Sequence, residues 1–387
     1  MNDGKRIETA IAVVGAGPVG LAASLVLADA GYCVALIAPA SPPVDRRTSA
    51  LLTGSVALLE RLGVWSDLTA DAAPLRTMRI VDGTSRLIRA PEVAFDAGEI
   101  GLAAFGYNVA NTALVAALER GLATRDILRI DALVEAATPR DDSIDIALAD
   151  GRRVSARLAV AADGRRSRLR EAAGIATESW QYDQIALVCN LRHGLPHHDT
   201  STEFHTEHGP FTLVPLGPNR SSLVWVDRPE ASRHRLDMGD ADLAAAIEAR
   251  SASILGVIEI DGERQVFPLT GMTARDFASS RVMLAGEAAH VFPPIGAQGL
   301  NLGFRDVAAL GGGLAGPLPD PGAPASLAAY DTARRADVLA RTAAVDALNR
   351  TLLTDFLPIQ ALRGLGIFLV DRVPPLRRLA MRQGLGI

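Results

Sequence analysis

Lysine is nearly absent from this chain. Of 39 basic residues among 387, a single one, Lys5, is a lysine, and it lies in a polar N-terminal tail. Schiff-base catalysis through pyridoxal phosphate needs a lysine amine, and a phosphate-cradling P-loop needs G-K-[ST], so both enzyme classes are excluded. Cysteine is scarce too: Cys33 and Cys189 stand far apart, which leaves no disulfide framework. No charged-then-apolar leader opens the chain, and the expected compartment is reducing and cytoplasmic. No apolar run approaches the roughly 20 residues that cross a bilayer, so an integral membrane protein is not expected. Positive charge is not in excess either. With 44 acidic residues the net charge is -5, which offers nucleic acid no attracting field.

What remains is globular: 49% hydrophobic and 21% charged residues, in a length that suggests two or three lobes. Residues 11–14 (IAVV) form a short apolar run, 15–20 a glycine turn, 18–30 a helical stretch ending at Gly31, and 33–38 (CVALIA) a second buried strand. This is a βαβ opening, in which Cys33 is expected to be a small buried hydrophobe. Residues 75–97 read as short alternating segments, 113–120 as helix, and the stretch through 158–162 as strands. Residues 180–265 are strand-rich, with turn clusters at 194–196, 209–210 and 217–219. A buried strand at 282–285 runs into a glycine-rich loop and a helix starting near Gly299, and the remainder is helical. The expected fold is mixed α/β. Residues 1–74, 98–179 and 268–340 form a discontinuous nucleotide-binding domain, 75–97 and 180–267 a β-rich second domain, and 341–387 a C-terminal helical segment.

Three motifs carry chemistry. Gly15-Ala16-Gly17-Pro18-Val19-Gly20 is G-x-G-x-x-G, directly after a strand and opening a helix. Its glycines permit a tight turn and close approach of a pyrophosphate, and the helix start adds partial positive charge. The acidic residue expected about 20 positions on is missing, since Ala38 and Pro39 stand there. A lost hydrogen bond to a charged group weakens such a site by about 1.5–3 kcal/mol. The second motif, Ala162-Asp163-Gly164 with Ser167 and Arg170, ends the LAVAA strand. It reads either as a carboxylate orienting a polar cofactor or as a capped turn with a solvated basic helix face. The third, RVMLAGEAAHVFPPIGAQGLNLGFRDVAAL at 281–310, delivers Glu287 to a loop shaped by Pro293, Pro294, Gly296 and Gly299, and a helix start follows.

In this order and separation the three motifs resemble the single-component flavin aromatic hydroxylases, most nearly the ubiquinone-biosynthesis branch. DRRTSAL at 45–51, LLERLGVW at 58–65, GYNVAN at 106–111, GPFTLVPL at 209–216 and AYDTARRAD at 329–337 extend the resemblance over nearly the whole chain. It implies a Rossmann-like FAD-binding domain of the p-hydroxybenzoate-hydroxylase type with an inserted β-rich substrate domain. It further implies FAD held at its pyrophosphate by Gly15, Gly17 and Gly20, with Arg47 nearby and Asp163 in the shared groove. Glu287 takes the place of the family's ribityl-binding Asp. Pro294, Gly296, Gln298, Gly299, Leu300 and Asn301 form the loop along the flavin ring, with the helix start aimed at the pyrimidine edge.

The implied reaction is reduction of FAD by NAD(P)H, capture of O2 as a flavin hydroperoxide, and hydroxylation of the phenolic ring of a polyprenylated ubiquinone precursor. Fixed dipoles at the pyrimidine edge suit the negative charge of reduced flavin. No general base is identified. The family has no second domain for NAD(P)H, and none is visible. Departures are Ala38, Glu287 for Asp, Thr112 where Arg often follows Asn, and Ala297 where glycine is common, with Gly296 moving the pivot one place earlier. They motivate one rival, a weakly active or non-catalytic subunit of a quinone-biosynthesis assembly; a flavin enzyme of another outcome, such as prenyl reduction, is a second. A halogenase of this fold relies on a lysine, which Lys5 cannot supply.

His193, His197, His198, His205 and His208 fit no tight metal template, and a polar loop accounts for them. His290 reads equally as packing or chemistry. The tail 352–387 is basic, with a local charge of +3. Val345, Leu348, Leu352 and Phe356 form one helical stripe, suited either to an anionic membrane surface or to the protein's own core. Contact with other quinone-biosynthesis enzymes is a further expectation.

Overall fold

The computed structural model describes residues 6–40, 45–84, 89, 91–293, 297–353 and 372–385, with backbone alone over 343–353. Pro294 and Gly296, and the side chains of the Val345, Leu348, Leu352 and Phe356 stripe, lie outside the described residues. Continuous apolar runs suit strands buried on both faces, and they form a parallel core. Arg6–Val14 lies at its centre, parallel to Val34–Ala38 on one side and Arg153–Ala161 on the other, with Val13 opposite both Leu36 and Val160. Ile127–Asp131 and Val282–Leu284 extend the sheet in parallel on either flank. Helix Pro18–Asp29, begun by a proline at its first turn, packs against Asn111–Leu122 and the late helix Gln298–Gly313.

Among the described residues, a second sheet of nine strands is built around Thr177–His193, which pairs antiparallel with Gln265–Ala274 and Arg220–Asp227. One of its faces is packed by two helices, Pro229–Asp237 and Asp240–Arg250. Leu187, Phe204, Phe211, Leu223 and Trp225 meet Leu243 and Ile247 there. These helices interrupt a stretch whose sequence reads as strand, because only three apolar residues of the second helix face inward. The opposite face of the sheet looks at the first domain. Asn108, on Gly106–Ala110, donates to the Pro215 carbonyl at 2.9 Å and meets Ser222 at 3.2 Å, while the Arg47 guanidinium lies 5.1 Å over the Phe267 ring. His290–Val291 crosses over to pair with the edge of this sheet.

Two expectations need correction. Cys33 is exposed: the strand begins one residue later at Val34, and Cys33 contributes its carbonyl to Thr9 and Ile11 while its side chain faces out. The histidines do not share a polar loop, for His193 and His205 are buried within strands. Gly296, where the pivot of the late loop is expected, lies outside the described residues, and Ala297 beside it is left-handed with φ 55°. Toward the C-terminus, helix Pro374–Leu385 docks Met381 and Leu385 among Leu52, Phe105, Met78 and Phe95, and pairs Arg377 with Glu99. It leaves Val373, Leu376 and Leu379 exposed beside it. Among the described residues, no helix is long and apolar enough to cross a membrane.

Candidate active site

The first glycine loop separates what the chain itself needs from what it does not. Gly15 has φ +108°, and a Cβ there would lie 2.1 Å from the Ala162 carbonyl oxygen; a Cβ on Gly20 would lie 1.9 Å from the Gly15 oxygen. Both positions are forced to glycine by the chain's own packing. Gly17 is not: a Cβ there would meet nothing within 4 Å. It sits at the N-cap of Pro18–Asp29, which has no side-chain cap and no acidic residue in its first turn. Open space over free N–H groups at a helix start suits a phosphate.

Asp163 faces the same turn, its backbone nitrogen 3.0 Å from where a Gly15 Cβ would be. Oδ2 accepts the Arg168 N–H at 2.8 Å, but Oδ1 is buried with no hydrogen-bond partner. Burial raises the pKa of this carboxyl, and nearby donors only partly offset it. A buried acceptor left open is expensive unless a ligand hydroxyl fills it. These residues therefore fit a flavin dinucleotide. Ser167 and Arg170 of the same motif are structural. Ser167 caps the short helix Arg168–Ala172, and the buried Arg170 guanidinium donates to the Ala288 carbonyl at 2.9 Å, tying this turn to the one that carries Glu287.

Glu287 is exposed on the Gly286–Ala288 turn. Its charge adds to the pull on Arg47, whose pKa is raised chiefly by its hydrogen bonds to Asp45, through Nε and Nη2 at 2.8 Å each. Burial alone raises Asp45, but Arg47 and Asn111 outweigh it and hold the carboxyl below its ordinary value.

The late helix Gln298–Gly313 starts at a left-handed Ala297, again without a side-chain cap or an acid in its first turn. Asn301 fixes this start. Its Oδ1 accepts from the Leu52 N–H at 2.8 Å and the Ser55 hydroxyl at 2.6 Å, and its Nδ2 donates to the Ala50 and Ala297 carbonyls at 2.8 and 2.6 Å. With its side chain fully engaged, Asn301 has only its backbone N–H to offer a ligand. Gln298 and Leu300 are half-buried and Gly299 is exposed at the same start.

Behind the helix lies a charge network that the motifs did not reveal. Asp306, fully buried, accepts from Gly286 N at 2.9 Å, His290 Nε2 at 2.7 Å and Arg334 Nε at 2.7 Å. Arg334 continues to Asp337, which also takes Arg305 and Arg341. Burial opposes the charge of Asp337, but its arginines hold that carboxyl far below its ordinary range. The signal was present as Arg and Asp three apart in ARRAD, a helical spacing that reads equally as a solvated face. Among the described residues, no group of three His, Cys, Asp or Glu side chains could hold a metal.

A family model described as FAD binding domain matches residues 8–345. Ubiquinone hydroxylase UbiL of Rhodospirillum rubrum is 36% identical, over 97% of this chain and 89% of that protein. A 3-demethoxyubiquinol 3-hydroxylase of Escherichia coli is 33% identical, over 98% and 99%. Among solved structures, p-nitrophenol 4-monooxygenase PnpA of Pseudomonas putida aligns with a TM-score of 0.79 at 21% identity over 98% of each chain, a likeness of fold. Two uncapped helix starts, an open Asp163 oxygen and this kinship agree: the chain belongs to the FAD-binding family of flavin-dependent aromatic monooxygenases.

Proposed function

We propose that this enzyme hydroxylates the aromatic ring of a polyprenylated ubiquinone precursor, using NAD(P)H and O2. The reading is supported by the names of relatives above 30% identity. The observation that carries it is the pair of uncapped helix starts at Gly17 and Ala297, joined by the unpartnered Asp163 Oδ1. On this reading residues 1–74, 98–179 and 268–340 hold the flavin, 75–97 and 180–267 close over its ring, and 341–387 is a helical appendage.

Gly15, Gly17 and Gly20 shape the pyrophosphate seat, Asp163 and Glu287 take hydroxyls of the cofactor, and Arg47 contributes positive charge beside it. The backbone of Gln298, Gly299, Leu300 and Asn301 directs N–H groups at the electron-rich edge of the ring, where a preformed dipole stabilises charge without reorganisation. Pro294 and Gly296 are assigned to the loop along the ring. When bound, the flavin supplies the two-electron chemistry that NAD(P)H feeds and O2 consumes. The second sheet contributes a wall that includes Val188, Val214 and Val224, which keeps water from the reacting ring. At the C-terminus, Val373, Leu376 and Leu379 with Arg372, Arg378 and Arg382 suit contact with an anionic membrane face on the cytoplasmic side, where a polyprenyl chain resides.

The test is direct. The purified protein takes up FAD and, with NAD(P)H and 18O2, adds one labelled oxygen to a short-chain prenylated phenol. Failure to take up FAD at high concentration, or NAD(P)H oxidation without ring product from any such phenol, refutes the reading.

A further inference from the structure

A phenol is ionised unaided only near pH 10, and the neutral ring is the poorer nucleophile, yet the motifs supply no base. The second sheet holds a histidine paired with a carboxylate. Phe204 points into the apolar layer shared with Leu243 and Ile247, so strand alternation turns Glu203 and His205 to the other face. That is the face on which Arg47 meets Phe267 and Asn108 meets Ser222, the one turned toward the cofactor domain. Directly paired residues share a face. Glu203 therefore sits in a row with Ile80, Thr212 and Val224, and the neighbouring rows hold Phe267 at one side and Ser222 at the other.

His205 is 6% exposed. Its Nε2 lies 2.9 Å from Glu203 Oε1, and Thr212 Oγ1 lies 3.4 Å from the other carboxylate oxygen. A carboxylate only accepts, so Nε2 carries the hydrogen and Nδ1, which makes no hydrogen bond within the described residues, keeps its lone pair. The contrast with His193 is informative. Both of its ring nitrogens are occupied, by the Leu195 carbonyl and the Ser221 hydroxyl, as a purely structural histidine requires.

The geometry points to His205, oriented by Glu203, as the base that takes the proton of the substrate's phenol. The inference rests on the hydroxylase reading above. The phenol O–H bond breaks, its electron pair stays on oxygen, and the proton goes to Nδ1, giving an imidazolium held by Glu203. After oxygen enters the ring, the ring C–H proton leaves to water and Nδ1 returns its proton to the phenol oxygen.

The experiment compares FAD-loaded wild type, His205→Gln and Glu203→Gln with a phenol carrying a short prenyl chain, across pH 6.5–9.5. His205→Gln is expected to lower kcat about 100-fold, with KM changed less than about threefold. That deficit shrinks as pH rises toward the phenol's own ionisation, and also with a ring-fluorinated, more acidic phenol. Glu203→Gln gives a smaller loss of the same pH form. In difference spectra of the oxidised protein, the phenolate band of bound phenol appears at neutral pH with wild type and is lost in His205→Gln. An unchanged rate, or a deficit independent of pH and phenol acidity, overturns the proposal. Should His205→Gln fail to retain flavin, Glu203→Gln decides by the same criteria. Wild type that oxidises NAD(P)H but yields no phenolic product refutes the functional reading itself.

Discussion

The two uncapped helix starts reach the same end by opposite means. At Gly15–Gly20 the geometry is built into the residue types, for the turn closes so tightly on the Ala162 carbonyl that nothing but glycine fits. At Ala297 a residue that disfavours the left-handed region adopts it with φ 55°, because Asn301 grips its carbonyl and two segments of the first domain at once. One start is locally encoded and the other is imposed by tertiary hydrogen bonds. Damage should therefore spread differently from each.

The largest effect is expected at the first start. Gly15→Ala combines positive-φ strain with a backbone collision, together about 3 kcal/mol or more. It should lower Tm markedly in thermal unfolding even without FAD. Gly17→Ala is the control that sharpens this comparison. With nothing near its Cβ it should leave the Tm of the FAD-free protein unchanged, yet weaken FAD binding at least about tenfold, a loss of about 1.4 kcal/mol. A large fall in Tm for Gly17→Ala would show that the space over the helix start serves the fold rather than a phosphate.

Next comes Asn301→Ala. It leaves the buried Leu52 N–H and Ser55 hydroxyl without an acceptor and frees the Ala50 and Ala297 carbonyls. At about 1–3 kcal/mol for each buried group left unpaired, the expected loss is about 3 kcal/mol. Amide exchange should show it at both 48–55 and 297–301. Protection lost at the helix start alone would mean that Asn301 does not join the two.

The carboxylates beside the two starts differ in sign. Asp163 has a raised folded pKa, caused first by burial, so the folded state binds its proton more tightly than the unfolded chain does. Its contribution to stability is fully present below the unfolded value near 3.9 and is lost as pH rises through the folded value. Asp337 is depressed despite burial because Arg305 and Arg334 hold it. Its contribution is present above the unfolded value and is lost as pH falls below it. Urea titrations should therefore find Asp163→Asn at least as stable as wild type at pH 7, and Asp337→Asn less stable, with the Asp337 difference narrowing toward pH 3. Equal and parallel pH profiles for both variants would refute the contrast.

The same division explains what the sequence made legible. The parallel core was readable because strands buried on both faces are written as runs such as IAVV and VALIA, and the glycine turn because sterics leave no alternative residue at Gly15 and Gly20. The left-handed Ala297 was not, since its conformation depends on Asn301, a contact made across the fold. Asn301 is readable as a motif residue but not as a staple between 48–55 and 297–301, because its partners lie about 250 positions away. Cys33 was misplaced because the strand edge moved by a single residue. Glu203 and His205 were hidden for a related reason: the spacing in EFH at 203–205 does not tell which face of a sheet Glu203 and His205 share until Phe204 is seen to take the other.

The smallest expected effect tests the imposed start most finely. Glycine at 297 would relieve a left-handed alanine of about 1 kcal/mol, but it would also widen the unfolded ensemble by about 0.5–1 kcal/mol. The two nearly cancel, so Ala297→Gly should shift the urea midpoint only slightly, with an unchanged m-value. In the Asn301→Ala background the balance changes, because nothing then holds residue 297 in the left-handed region and glycine adopts it without side-chain strain. Ala297→Gly should therefore recover part of the Asn301→Ala loss, a coupling that a double-mutant cycle measures directly. Strict additivity of the two substitutions would mean that the turn at Ala297 does not depend on Asn301, and the late start would have to be classed with the first as locally encoded.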